Sequence, residues 1–486
     1  MAQAPPTRRR GALLACAAWL AGSGCSAQPP SPHGAPVSRA SGPPAATQVV
    51  HAPAPSPTAA GAASTDAAAP VPAPACEPLD AAGFERPQHS GAVLVDTPVE
   101  HGDRLATFYE ALARLERGRR EEPLRIGFHG DSNLTQDHLT GELRRRLQAR
   151  YGDAGHGFLV GARAWGWYRH QDVRQDNDGW WRVFAISAPR TPDLGYGLSG
   201  IAATCRSPGG RTWFATSAED APIGRDVGKI SVFYRKHPGG GSFKVLLDGE
   251  ACDEVSTAAG AVRAGHRHYR MNDGPHRIDI ETTTGGEVRL LGVAFERERP
   301  GIIVDSFGVG GAYFQALTLD DHELSRQMAV ERRHGLLVYW LGANPHHASD
   351  YPRDVGLVVA ERRKAISDLP VLVISPPDAA SAGKDSPSNP VSHRLTTQLR
   401  AAAEVNGCAF WPMRDAQGGE GAGGRFLKHG LATDRQHLSA EGSSLMARML
   451  LHALWSDYRR YLRSHPRAGC EPAPAAPPAR DAASGP

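Results

Sequence analysis

The chain has 486 residues, of which 41% are hydrophobic and 22% are charged, and its formal net charge is +3. This composition is typical of a globular protein, and the length allows more than one domain. The charge is small and no dense stripe of lysines and arginines is interleaved with aromatic residues, which argues against nucleic acid as the main partner.

Residues 1–25 have the pattern of a secretory signal peptide. Arginines 8–10 precede the apolar run "GALLACAAWLAG", and small residues follow up to Cys25. The apolar run is too short to span a membrane. The ending "GSGC" resembles a bacterial lipobox, although the usual leucine lies further upstream, at Leu20. We therefore expect an exported lipoprotein of the bacterial cell envelope, anchored to the membrane through Cys25, with plain secretion as the alternative.

The composition of two segments predicts that they are disordered. Residues 26–76 consist mainly of Ala, Pro, Ser and Gly, and residues 466–486 have the same character. Chains with so few large apolar side chains cannot bury enough surface to fold. We interpret the first segment as a tether and the second as a free tail.

Residues 77–150 and 300–465 alternate between helical and strand patterns. A helical pattern around residues 105–115 is followed by the strand "LRIGFHG" and by a second helical pattern around residues 139–147. After residue 300 come the apolar runs "IIVDSF", "LLVYWL", "VLVIS" and "CAFWP", separated by helical patterns at 312–330, 352–366 and 391–404. Apolar strands alternating with helices predict a parallel sheet covered on both faces. The fold class is thus α/β, with a flavodoxin-like three-layer domain.

Residues 160–299 have a different pattern of apolar and polar residues. Segments such as "KISVFYRK" and "SFKVLLDG" alternate apolar and polar residues, and Asp248-Gly249 predicts a hairpin turn. This pattern predicts an antiparallel β-sandwich inserted into the first crossover of the α/β domain. The segment begins with a group of tryptophans that either stack on sugar rings or pack the joint between the domains, namely Trp165, Trp167, Trp180 and Trp181.

Ligands of open α/β sheets bind beyond the carboxyl ends of the strands, so the residues that follow each apolar run are candidates for a site. Ser132 follows the first strand, the glycine turn "SFGVGGAYF" follows the second, and Asn344 follows the third. Asp434 and His437 lie just before a long C-terminal helix, for which Ser439 is the expected cap. Taken singly, each has an ordinary alternative as a helix cap or turn residue.

Together, the stretches "HGDSN", "GVGGA", "LGAN" and "TDRQHLSAEG" resemble, in order, the four sequence blocks of the SGNH (GDSL-type) hydrolases, which are flavodoxin-like esterases. The last block matches the family's usual pattern closely. The first block departs from it at Asn133, where leucine is common, and the second departs at Gly310, where many members have asparagine.

The resemblance implies a role for each site residue. Ser132 corresponds to the nucleophile, His437 to the general base and Asp434 to the residue that orients the histidine. The oxyanion donors would be the backbone N–H groups of Ser132 and Gly311 and the side-chain amide of Asn344. These residue types suit acyl transfer, since a neutral serine needs a base and the developing oxyanion needs fixed donors. No metal or cofactor is expected, because the sequence has neither Cys-x-x-Cys nor His-rich ligand spacing.

An inserted β-sandwich in an exported SGNH protein resembles the peptidoglycan O-acetylesterases, whose insert is a carbohydrate-binding module. We therefore predict a serine esterase that removes O-acetyl groups from a cell-envelope or extracellular polysaccharide, with an acetylated glycan as substrate. Two alternatives stay open. One is a glycan O-acetyltransferase that uses the same triad, and the other is a non-catalytic glycan-binding envelope lipoprotein.

Apart from the lipidated Cys25, the mature lipoprotein would contain five cysteines. Cys76 and Cys470 bracket the predicted folded region, and Cys205 and Cys252 lie in one segment, so we expect these two pairs to form disulfides in an oxidising compartment. Cys408 is expected to be free, on an apolar strand.

Overall fold

A computed structural model describes residues 76–218, 221–344, 349–382 and 386–470. The predicted signal peptide, the lipid-anchor position Cys25, the tether up to residue 75 and the tail from residue 471 lie outside the described residues. Among the helices of the described part, none is both long and apolar enough to cross a membrane.

The described chain alternates strands and helices at both ends and is made of strands in the middle. The strands are β1 (Leu124–Gly130), β2 (Gly157–Leu159), β3 (Val173–Asn177), β4 (Arg182–Ala185), β5 (Ile201–Cys205), β6 (Arg211–Thr216), β7 (Val227–Lys236), β8 (Ser242–Leu247), β9 (Glu250–Ser256), β10 (Arg263–Gly274), β11 (Arg277–Thr282), β12 (Val288–Glu296), β13 (Ile302–Gly308), β14 (Leu336–Trp340), β15 (Val371–Ile374) and β16 (Ala409–Trp411). The helices are α1 (Ala106–Glu116), α2 (His138–Tyr151), α3 (Phe314–Leu317), α4 (His322–Arg332), α5 (Tyr351–Ala365), α6 (Pro390–Val405), α7 (Met413–Ala416), α8 (Ala422–Lys428) and α9 (Ala440–Ser464).

The predicted parallel sheet is present, with the strand order β13-β1-β14-β15-β16 and every pair parallel. This is the 2-1-3-4-5 order of flavodoxin-like folds. Leucines of α1, α2 and α9 cover one face of the sheet, where they pack on strand residues such as Phe128 and Val338. Side chains of α4, α5 and α6 cover the other face, against residues such as Phe307 and Tyr339. The hydrolase domain thus has the expected three layers.

The prediction of one helix over residues 312–330 is wrong in one respect, because the segment forms two helices, α3 and α4. Asp321 lies between the two helices in an extended conformation, and its carboxylate accepts a hydrogen bond from the Leu324 N–H at 3.1 Å. An aspartate in this position begins a new helix rather than continuing the preceding one.

The middle of the chain forms the predicted sandwich. One antiparallel sheet has the order β10-β7-β12-β5-β4, with β2 also paired to β12, and the other has the order β3-β6-β11-β8-β9. Apolar side chains from both sheets meet in one core, among them Val232, Phe243 and Ile280. Asp248 and Gly249 form the predicted turn between β8 and β9, with φ of 52° and 91°. Positive φ at both positions is typical of a tight hairpin turn.

A buried ionic network joins the sandwich to the hydrolase domain. Glu296, at the end of β12, accepts hydrogen bonds from Arg332 of α4 at 2.7 Å and from Arg125 of β1 at 2.8 Å. Arg332 also binds Asp305 of β13, which accepts a further bond from the backbone N–H of Phe158 in β2. Buried charges need such partners, so removing one member destabilises the rest.

Of the two predicted disulfides, one is confirmed and one is wrong. Cys76 and Cys470 are bonded, with Cα atoms 6.0 Å apart, and they join the two ends of the described chain. Cys205 and Cys252 are both free. Cys205 is buried on β5 of one sheet, whereas Cys252 is exposed on β9 at the edge of the other sheet, so their shared segment does not bring them together. Cys408 is free and buried, as expected.

Candidate active site

Three parallel strands end side by side at the candidate site. Gly130 of β1 is in register with Gly308 of β13 on one side and with Trp340 of β14 on the other. The loops after these strands carry Ser132, Gly311 and Asn344, respectively. The fold therefore brings three of the predicted blocks to one edge of the sheet, where ligands of such folds bind.

The structure places Ser132, His437 and Asp434 in a hydrogen-bonded row. The Ser132 Oγ atom lies 2.8 Å from His437 Nε2, and His437 Nδ1 lies 2.8 Å from Asp434 Oδ2. The second oxygen of Asp434 accepts hydrogen bonds from the backbone N–H groups of Gln436 and His437, both at 2.8 Å. This is the geometry of a serine nucleophile, a base and an orienting carboxylate.

The carboxyl group of Asp434 is held in its ionised form. Partial burial acts to raise its pKa, but the backbone hydrogen bonds from Gln436 and His437 and the bond from the His437 side chain outweigh it. The pKa of Asp434 therefore lies below its ordinary value. An anionic partner at Nδ1 keeps that nitrogen protonated and leaves Nε2 free to accept the serine proton.

Ser132 is not a helix cap. It begins a short 3₁₀ helix, Ser132–Leu134, and the residue in the capping position is Asp131, whose side chain accepts from the Asn133 N–H at 3.1 Å. The long helix α2 starts only at His138. The serine hydroxyl is thus directed to His437, and only this short turn, rather than a long helix, begins at the serine.

Three side chains that sequence reasoning missed connect the site loops. Asp131 accepts hydrogen bonds from the Gly342 N–H at 3.2 Å and the Ala343 N–H at 2.9 Å, which ties the serine loop to the loop of Asn344. Asn133 Oδ1 accepts from the Leu438 N–H at 2.9 Å, which ties the serine loop to the residue after His437.

The third tie runs from the histidine loop to the loop of Asn344. Gln436 donates its side-chain amide to the Ala343 carbonyl oxygen. The only sequence signal for these ties was the asparagine at 133, which departs from the family pattern and could have drawn attention to this contact.

The two predicted oxyanion residues on the other loops lie next to each other. Gly311 has a φ of 74°, and the Asn344 side-chain amide donates to the carbonyl oxygen of Ala312 at 3.3 Å. Within the described residues, neither the Ser132 N–H nor the Gly311 N–H donates to another protein group. An amide nitrogen carries two hydrogens, so Asn344 keeps a second donor. These groups supply the kind of fixed donors that an oxyanion requires.

No protein-family model and no curated protein matches this chain. Among solved structures, one described as a peptidoglycan O-acetylesterase matches with a TM-score of 0.61 and 21% sequence identity, over 75% of this chain and 99% of that chain. The chain has an SGNH hydrolase fold. The two hydrolase segments make up about half of the sequence, so the matched region extends into the sandwich.

Two further matches are family two carbohydrate esterases with low TM-scores. The one from Clostridium thermocellum, in complex with cellohexaose, has a TM-score of 0.23 and 13% identity over 56% of this chain and 97% of its own. The one from Cellvibrio japonicus has a TM-score of 0.23 and 10% identity over 60% of this chain and 99% of its own. Scores of this size do not establish a common architecture.

In this SGNH fold, a segment of the sandwich lies against the glycine loop of the candidate site. The Ser187 hydroxyl donates to the Gly310 carbonyl oxygen at 2.6 Å, and Arg190 donates to the Tyr313 hydroxyl at 3.2 Å. The ring of Trp165 lies beside Gly310, where an added Cβ would come within 3.4 Å of it. A Cβ at residue 310 would make ordinary contact with this ring, so packing does not explain why glycine stands where many family members have asparagine.

The tryptophans divide between the two roles considered from the sequence. Trp181 is buried in the sandwich core, and Trp165 is half-buried and stacks on Trp167 with ring centroids 6.1 Å apart. Trp167 and Trp180 are exposed, to 54% and 61%. Packing thus explains Trp181 and Trp165, but it does not explain the exposed Trp167 and Trp180.

Trp180 lies at a large cavity, which has a volume of about 1160 Å³. This cavity belongs to the sandwich rather than to the surroundings of Ser132. Its lining is rich in charged side chains, including Arg182, Arg206, Asp193 and Glu287. An aromatic face among charged and polar groups is a surface that suits a polyhydroxylated ligand.

Proposed function

We propose that this chain is a serine esterase that removes O-acetyl groups from a cell-envelope or extracellular polysaccharide, with peptidoglycan as the first candidate. The observation that carries the proposal is the row of 2.8 Å contacts from Ser132 through His437 to Asp434. We further propose that the protein is exported and anchored through Cys25, which would put the esterase at the envelope.

In the proposed mechanism, His437 Nε2 takes the proton of the Ser132 hydroxyl as the oxygen attacks the acetyl carbonyl. Asp434 stabilises the imidazolium that forms. The oxyanion receives hydrogen bonds from the Ser132 and Gly311 N–H groups and from the Asn344 amide. One donor of this kind contributes about 3 kcal/mol to catalysis where it has been measured.

When the tetrahedral intermediate collapses, the glycan hydroxyl leaves with the proton from His437, and the acetyl group stays on Ser132. His437 then activates a water molecule, which releases acetate and restores the serine. The same acyl-enzyme would serve a transferase if a sugar hydroxyl replaced water.

Two features support a polysaccharide rather than a lipid ester as substrate. The sandwich presents the exposed Trp180 at a cavity with many charged groups, and its segment around Ser187 reaches the glycine loop beside Ser132. A glycan bound along the sandwich could therefore approach the serine. The solved structure with the same fold carries the description of a peptidoglycan O-acetylesterase, which agrees with this substrate class.

The test is to incubate the purified protein and its Ser132→Ala variant with O-acetylated peptidoglycan and with acetylated xylan, and to measure acetate. The proposal predicts release from at least one glycan that is lost in the variant. Transfer of acetyl to an added oligosaccharide in preference to water would instead establish a transferase. Folded protein that releases no acetate from either glycan, yet hydrolyses long-chain lipid esters, would contradict the proposal.

A further inference from the structure

A group of metal-ligating side chains lies between the sandwich and the hydrolase domain, away from the triad. His266 and His268 are two residues apart on β10, so their side chains project from the same face of the strand. Glu331 belongs to α4 and faces them. The three residues thus come from two domains.

The ligand atoms of these residues are close enough to share one ion. One donor atom from each residue can be chosen so that all lie within 4.8 Å of one another. His268 Nε2 is 3.2 Å from Glu331 Oε1, and the two imidazole rings have centroids 4.8 Å apart with an angle of 31° between their planes. Two ligands of a tetrahedral zinc ion, each about 2 Å from the metal, lie about 3.3 Å apart. The His268–Glu331 pair already has this separation, and the His266 ring has to move only slightly towards the ion.

Neighbouring groups fix the orientation of the ligands. Ser231, a buried residue of β7, lies with its Oγ atom 2.9 Å from His268 Nδ1, which leaves Nε2 directed towards Glu331. The Gln327 side chain, one turn before Glu331, accepts a hydrogen bond from the Ala264 N–H at 2.7 Å and holds α4 against β10. Partners of this kind that orient metal ligands are typical of protein metal sites.

A lysine side chain near the group is paired with other carboxylates. The nearby cation Lys229 lies within 4 Å of Glu296 and Glu298, so two carboxylates offset its charge.

A second group in the described chain, made of Asp137, His156 and His170, has similar ligand types, but protein groups already hydrogen-bond to its carboxylate. Arg144 donates two hydrogen bonds to Asp137, at 2.9 and 3.2 Å, and the Gln171 N–H donates a third. A buried guanidinium already neutralises this carboxylate, so the group carries no metal proposal.

We propose that His266, His268 and Glu331 bind one divalent cation of the zinc class, which clamps the sandwich to helix α4 of the hydrolase domain. Two imidazole nitrogens and a carboxylate oxygen form a donor set that suits zinc, and water completes the coordination. Because His266 is exposed, the ion can enter from solvent. The clamp is independent of the esterase proposal.

The test is a calorimetric titration of the chelator-treated, full-length protein with zinc chloride. We expect the His266→Ala and Glu331→Gln variants to lose one equivalent of bound zinc or to bind it at least about tenfold more weakly. We also expect zinc to raise the melting temperature of the unmodified protein, because an ion that binds only the folded state stabilises it.

His276→Ala is the matched control. His276 Nδ1 lies 2.7 Å from Asp248 Oδ2 on the sandwich surface, so this variant removes a histidine–carboxylate pair of another kind. It should keep the full zinc stoichiometry. Circular dichroism checks that each variant is folded, and Glu331→Gln, which preserves side-chain size, decides the matter if His266→Ala is unfolded. Zinc binding that is absent from the unmodified protein, or equal in all folded variants, would overturn the proposal.

Discussion

Replacing Asn133 by alanine should damage catalysis more than folding. Asn133 is buried and its Oδ1 atom accepts the Leu438 N–H at 2.9 Å, which fixes the residue after His437 relative to the serine loop. The variant leaves that buried N–H without a partner, which costs about 1–3 kcal/mol. It also releases His437 from the serine loop, and a displacement of about 1 Å at a reacting group can cost about 10²-fold in rate. We expect kcat/KM on a small acetate ester to fall by about 10- to 100-fold.

A remote asparagine separates this effect from a general loss of stability. Asn406 also ties backbone segments together, since its side-chain amide donates to the carbonyl oxygens of Pro352 at 2.7 Å and Ala402 at 2.8 Å. Asn406 precedes the amino end of β16, whereas Ser132 follows the carboxyl end of β1, so the two residues lie at opposite ends of the parallel strands. Asn406→Ala should lose stability and keep its activity. If Asn133→Ala unfolds at lower urea but keeps kcat/KM within about twofold, the tie does not position His437 and this reasoning is refuted.

Three further predictions concern the joint, the cavity and the disulfide. Burial acts to raise the pKa of Glu296, but Arg332 and Arg125 outweigh it and lower this pKa to about 2, below the ordinary 4.5. The stability that Glu296 contributes is therefore present above pH 4.5 and is lost as the pH falls towards 2. Glu296→Gln should be less stable at pH 7 by about 3 kcal/mol, and urea unfolding at several pH values should show that its deficit shrinks in acid. Trp180→Ala should weaken pull-down on the insoluble glycan and leave hydrolysis of a small ester unchanged, whereas an equal loss on both substrates would argue against a binding role. Serine at both Cys76 and Cys470 should lower the free energy of unfolding by up to about 5 kcal/mol, which a change of less than about 1 kcal/mol would contradict.

Periodicity was sufficient to predict the sheet because apolar runs of a parallel sheet are buried on both faces. The run "LRIGFHG" coincides with β1, and the pattern of residues 391–404 coincides closely with α6. Periodicity was insufficient where a single polar contact decides whether a helix continues or ends. Asp321 breaks the helix predicted over residues 312–330 through a cap that hydrophobic spacing does not reveal.

The triad residues could be selected from their blocks, but the contacts between blocks could not. Residues 132 and 437 are far apart in the sequence, and only the order of the strands brings them to one edge. The ties made by Asp131 and Gln436 depend on loop conformations that no local pattern encodes. The error at Cys205 and Cys252 has a related cause, since closeness in sequence does not tell which sheet of a sandwich a strand joins.

The measurement that tests the central claim most directly is labelling of the folded protein with a phosphonate probe for reactive serines, followed by peptide mass spectrometry. The account predicts a single adduct, on Ser132, that is absent from Ser132→Ala and forms far more slowly in His437→Ala. A folded protein in which Ser132 stays unlabelled, or in which another serine reacts while acetate release survives Ser132→Ala, would contradict it.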